Sequence, residues 1–200
     1  MYFHASPTPN IQVLEPRVSN HGVPRVYLSQ RRENTLVYLS NAVEKYCRET
    51  GFASDGPWTK WGSYGFQDGL LQLDEYWPGA IEDTYKGVSG YIYWTETVPG
   101  GEALPDIPGA VITGEPVPVT GCDFVPDALE AILAAAAEGL ILLRRYEELP
   151  GPMLEWIGKS IKQEYADPGS SPAYRHFLRG KFPEITAGLG EIAYAFHQNE

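Results

Sequence analysis

Gly90-Tyr91-Ile92-Tyr93-Trp94-Thr95-Glu96-Thr97-Val98 (GYIYWTETV) is the stretch on which the fold turns. Most of its side chains are β-branched or aromatic and suit a pleated, half-buried surface. Pro99, Gly100 and Gly101 close it, so it reads as a strand, the best in the chain by composition. Upstream lie further strand candidates: Tyr2-Phe3-His4, stopped by Pro7 and Pro9, then Ile11 to Leu14, Arg25 to Ser29, and Leu70 to Leu73. Ser19-Asn20-His21-Gly22 reads as a turn. Downstream, Pro99 to Pro108 reads as a loop, and Ala110 to Thr113 and Val117 to Thr120 as two strands or one interrupted strand.

Helical spacing is concentrated elsewhere. Leu36, Leu39, Val43 and Tyr46 recur at three- and four-residue steps, which predicts a helix from Glu33 to Glu49 stopped by Gly51. Pro78 is expected to open a short helix to Tyr85. A helix from Pro126 to about Ala137 ends at Gly139, and Leu140 to Arg144 is either strand or helix. Three more helical pieces follow, near Met153–Tyr165, Pro172–Leu178 and Pro183–His197. Strands come first and helices last, with no regular βαβ alternation and no internal repeat, which points to an α+β fold. The expectation is one domain over residues 1–200. A strand-rich part, about 1–122, carries a helical part, about 123–200, packed on it.

Composition narrows the function classes. The 200 residues include 15 Lys and Arg against 26 Asp and Glu, a net charge of -11. Nonspecific nucleic-acid binders gain affinity by neutralising phosphates with cations, so that role does not fit the surface as a whole. Hydrophobic residues at 43% exclude general disorder. Cys47 and Cys122 form no zinc spacing, and His4, His21, His176 and His197 are scattered, so no metal is expected. No signal peptide is apparent at the N-terminus, and Ala128 to Leu143 is too short and too acidic for a membrane span. A cytoplasmic setting follows from these features.

The chain lacks a P-loop, a GxGxxG fingerprint, a GxSxG elbow and an HExxH pair. What remains is an N-terminal set. His4 and Ser6 share the first strand, Tyr27 sits on a later strand, and Thr35 and Tyr38 follow on the predicted helix. Tyrosine faces stack on flat rings, while hydroxyls bond an amide or a ribose, so this set suits a flat, amide-bearing ligand. The competing reading makes His4 a structural residue, Tyr27 an ordinary strand aromatic and Tyr38 part of a helix's apolar face with Leu36, Leu39 and Val43. Trp58, Trp61, Tyr64 and Phe66 lie among glycines and read as a loop packed over the core, or as a lid.

His4-Ala5-Ser6, Val26-Tyr27-Leu28-Ser29 and Thr35-Leu36-Val37-Tyr38 together resemble the nicotinamide-binding part of the ADP-ribosyltransferase fold, in its diphtheria-toxin and poly(ADP-ribose) polymerase branch. The steps from Tyr27 to Thr35 and from Tyr27 to Tyr38 match that branch, and the resemblance covers about the first forty residues. It implies a split β-sheet core and NAD as substrate, with no metal. His4 would hold a ribose, Tyr27 and Tyr38 would sandwich the nicotinamide, and Ser6 and Thr35 would support ribose or carboxamide contacts. ADP-ribose would pass to a protein or small-molecule acceptor. The family has glycine where this chain has Ala5. It also needs a later carboxylate to stabilise the charge developing on the ribose. Glu115, between Gly114 and Pro116, is the candidate, with Glu96 on the GYIYWTETV strand as its competitor. Two other roles stand beside this one. The first is a noncatalytic interaction module on the same fold. The second is an RNA 2'-phosphotransferase, which shares the fold but depends on basic residues that so acidic a chain does not readily place.

Overall fold

The structure, a computed structural model, describes residues 1–18, 22–54 and 63–189. Trp58, Trp61, His21 and His197 lie outside the described residues, as does the end of the helix expected over 183–197. The strands are β1 (Tyr2–Ser6), β2 (Val13–Leu14), β3 (Arg17–Val18), β4 (Pro24–Ser29), β5 (Ser63–Gln67), β6 (Leu70–Asp74), β7 (Gly90–Thr95), β8 (Glu102–Ala103), β9 (Ala110–Thr113), β10 (Val117–Pro118), β11 (Gly121–Val125) and β12 (Ile141–Arg144). The helices are α1 (Ala42–Thr50), α2 (Ala80–Tyr85), α3 (Ala128–Ala137), α4 (Gly151–Ala166), α5 (Pro172–Lys181) and α6 (Pro183–Thr186), with 3-10 turns at Glu33–Leu39 and Tyr146–Glu148. The fold is α+β. No described helix is long and apolar enough to cross a membrane.

Two compact units are present. The first takes residues 1–40, 63–73 and 81–144, and the second takes 41–62, 74–80 and 145–200. The first is built on a seven-stranded sheet in the order β11-β7-β1-β4-β9-β8, with β3 also paired to β4. Its pairs are antiparallel, and side chains alternate between the two faces. One face buries Val26 and Leu28 against Leu14 and Val117, with Tyr2, Ile11, Val98 and Val119 packed around them. The Tyr93 hydroxyl pins the loop above this face: it donates to Thr8 O at 2.6 Å and accepts from Ile11 N at 3.3 Å. The opposite face, carrying Ala5 and Ile92, is covered by the 3-10 turn, which packs on β1, β4 and β7. Leu39 of that turn fills the space over Gly90 where a Cβ would stand.

The expected helix from Glu33 to Glu49 is instead a 3-10 turn and a separate α1. Ser40 is extended (φ -135°, ψ 146°), and the Asn41 side chain accepts hydrogen bonds from Val43 N and Glu44 N. Asn41 thus starts a new helix, and Gly51 ends it at φ 69°, in the left-handed region. Asn41→Ala is expected to lower stability by about 1 kcal/mol, read as a lower urea midpoint with an unchanged slope. Tyr64 and Phe66 lie on β5 rather than in a loop.

In the second unit, Phe177 of α5 is the central aromatic. Trp77 meets it edge-on at 5.5 Å and Tyr46 at 5.8 Å. Buried Glu75 receives the Arg145 guanidinium at 3.1 Å and the Tyr146 amide at 3.2 Å, which compensates its charge. His176 is taken up structurally, bonded to the Thr50 hydroxyl at 2.8 Å and stacked on Phe52 at 4.2 Å.

Candidate functional site

The seven-stranded sheet nearly parts in its middle. β1 pairs with β7 along its whole length, from Tyr2↔Thr95 to Ser6↔Tyr91, and β4 pairs with β9 from Val26↔Thr113 to Ser29↔Ala110. Between β1 and β4 the register holds a single pair, Phe3↔Ser29. Further along the same edge of β4, β3 attaches through Arg17↔Arg25 and Val18↔Pro24. Tyr27 lies between these two attachments.

Strand alternation fixes which main-chain groups face the gap. Gln30 donates its N–H to Gly109 O at 2.8 Å, so Gln30 faces β9 and Ser29 and Tyr27 face β1. Phe3↔Ser29 is then a hydrogen-bonded pair, and Phe3 and Ala5 face β4. Tyr27 O accepts from the His4 ring at Nδ1, 2.9 Å away. Ala5 turns its N–H and C=O into the gap, where the ladder provides no opposing residue. Its methyl stands on the buried sheet face shared with Ile92, out of line with the neighbouring strand, so alanine in place of glycine does not itself project toward β4.

With Nδ1 carrying the proton, His4 presents a lone pair at Nε2. Burial pushes its pKa below the usual imidazole value, the bond to Tyr27 O opposes this, and the nearby Arg17 charge adds to the lowering. The ring is therefore neutral at neutral pH. The Tyr27 phenol is close enough to act on that of Tyr38. Surrounding protein raises the Tyr38 pKa and the Tyr27 phenol adds to it, although Tyr38 is 54% exposed. The exposed part of Tyr38 leaves room for a ring to approach.

The other expected site residues are placed as follows. Thr35 is buried, and its hydroxyl donates to Arg32 O at 2.7 Å, which leaves only acceptor capacity. It stands one 3-10 turn from Tyr38, on the same side of that turn. Ser6 is partly exposed at the end of β1, where its Oγ accepts from Thr8 N at 3.2 Å. Glu115 is exposed in the bend after β9, its N–H bonded to Thr113 Oγ1 at 3.0 Å and its carboxylate over Gly100. Ile112, not Glu115, is opposite Tyr27, and Glu115 follows it by three residues, beyond the end of β9. Glu96 is exposed just past the end of β7.

Sequence reasoning passed over two features of this region. Asn34 is buried, and its Oδ1 has no partner among the described residues. Arg17 and Arg25 did leave a signal: residues 17–32 hold four arginines and no acid in a chain of net charge -11. Among the described residues no three His, Cys, Asp or Glu side chains are grouped as metal ligands. In comparisons with known proteins, no family model, no curated protein and no solved structure matches the chain.

Proposed function

We propose that this chain binds NAD in the gap between β1 and β4 as an ADP-ribosyltransferase-like protein, breaking the nicotinamide–ribose bond and passing ADP-ribose to a protein or small-molecule acceptor. The observation that carries this reading is the parting of the sheet at Tyr27, with His4 and the Ala5 main chain turned into the opening. A carboxamide is both donor and acceptor, and Ala5 offers one acceptor and one donor on the same strand edge. The Tyr27 and Tyr38 rings flank the nicotinamide, while neutral His4 accepts a ribose hydroxyl at Nε2. Ser6 and Thr35 support these contacts.

Bond cleavage places positive charge on the ribose, which a carboxylate stabilises. Glu115 is the proposed acid, and Glu96 is the alternative. The exposure of Glu115, and its place three residues beyond the partner of Tyr27, favour a second reading in which NAD is bound without being cleaved. Calorimetry with NAD and assay of released nicotinamide separate these readings. Micromolar binding with release that falls about 100-fold in Glu115→Gln supports transfer with this acid. Binding with release unchanged in that variant moves the role to Glu96. Binding without release leaves an NAD-binding module, and absence of binding overturns the reading.

A further inference from the structure

Arg17 and Arg25 stand directly opposite each other on β3 and β4, so both side chains leave the sheet on one face. Like charges in that position repel, and neither forms an ion pair among the described residues. This occurs in a chain with 26 acids available to neutralise them. Arg32, in the same basic segment, does meet an acid, Asp123, at 3.4 Å. Glu115 follows Gly114, whose missing Cβ would stand 3.3 Å from the Arg25 guanidinium, yet its carboxylate turns to Gly100 instead. Two arginines that leave one face from opposed positions, neither paired with a carboxylate, have the chemistry to share a phosphate, which can accept from both.

The pair also belongs to the gap. Arg25 is two residues from Tyr27, on the same face of β4, at about 7 Å. Arg17 is near enough to His4 for its charge to act on the imidazole. We propose that Arg17 and Arg25 form a phosphate subsite at the edge of the gap, taking the phosphate joined through one ribose to a ring held at Tyr27 and Tyr38. The ring and ribose part of this rests on the NAD reading; the phosphate part rests on the arginine pair alone. The ligand class is a nucleoside 5'-phosphate or diphosphate.

The test compares nicotinamide mononucleotide, nicotinamide riboside and inorganic pyrophosphate by calorimetry at low salt, on the full chain and on Arg17→Gln and Arg25→Gln. The mononucleotide is expected to bind about tenfold more tightly than the riboside, and the advantage is expected to disappear in either variant while riboside binding is kept. Both variants should unfold at the same or a higher urea concentration, since each removes a repulsion. Equal affinity for mononucleotide and riboside overturns the subsite and leaves the NAD reading standing. If no nicotinamide compound binds, pyrophosphate decides: binding lost in both variants supports an anion site without the ring site, and no binding, or binding unchanged in the variants, overturns it.

Discussion

In a calorimetric titration with NAD, His4→Ala is expected to bind about 30-fold more weakly than the unaltered chain, because two hydrogen bonds change at once. The ribose loses its acceptor at Nε2. Tyr27 O loses the donor that His4 provides at 2.9 Å. The effect should carry a pH signature. Protonated His4 cannot accept a hydrogen bond, but burial and Arg17 hold its pKa below the ordinary value of about 6.5. Affinity should therefore stay level above that pH and fall only well below it. Stability follows the same sign. The unfolded chain takes up the proton first as pH drops below about 6.5, so stability is complete above that point and declines toward the lower folded pKa. His4→Gln should remove this part of the slope in urea midpoints measured against pH. A His4→Ala protein that binds NAD with unchanged affinity would contradict the role given to the imidazole.

Phe177→Ala is expected to cost about 3–5 kcal/mol of stability. Phe177 is 1% exposed, and its ring is met edge-on by Trp77 and Tyr46. Truncation removes the buried ring and leaves a cavity that rigid aromatic neighbours fill poorly. Trp77 also packs edge-on against Phe182 at 5.8 Å, so it is not free to swing into the space. Chemical denaturation followed by tryptophan fluorescence reads this directly. A loss under 1 kcal/mol would mean that the second unit can repack around the hole.

Several elements were legible because their side chains state their surroundings. Tyr2-Phe3-His4, Arg25–Ser29 and GYIYWT became β1, β4 and β7, since aromatic and β-branched residues suit strands wherever they pair. β11 was not foreseen. Gly121, Cys122 and Asp123 have little strand preference, and pairing with β7 imposes the conformation. Gly121 fits there because the Trp94 indole occupies the place of its Cβ. β5 did leave a readable mark in Asp68-Gly69, both at positive φ (51° and 77°), the signature of a two-residue hairpin turn. Helical spacing ran unbroken through Ser40 and Asn41 because apolar periodicity does not register a cap inside it.

The candidate site divides in the same way. His4, Tyr27, Thr35 and Tyr38 could be selected by residue type and spacing. A split sheet was implied only by the resemblance and not by the residues themselves, because it depends on which strands stop pairing and where, a property of contacts between residues far apart in sequence. Residue type also hid the arginine pair, since Arg17 and Arg25 meet only when β3 folds back on β4.

The lone Phe3↔Ser29 pair has a mechanical meaning as well. Between β1 and β4 the ladder supplies one rung, and the rest of the join is made by packing: the 3-10 turn lies on β1, β4 and β7, and Tyr2 packs with Val26 and Leu28. Anything seated between Ala5 and Tyr27 would supply the missing rungs. Occupancy would then be felt as stiffness across the whole sheet, from β11 to β8, and not only at the residues touched.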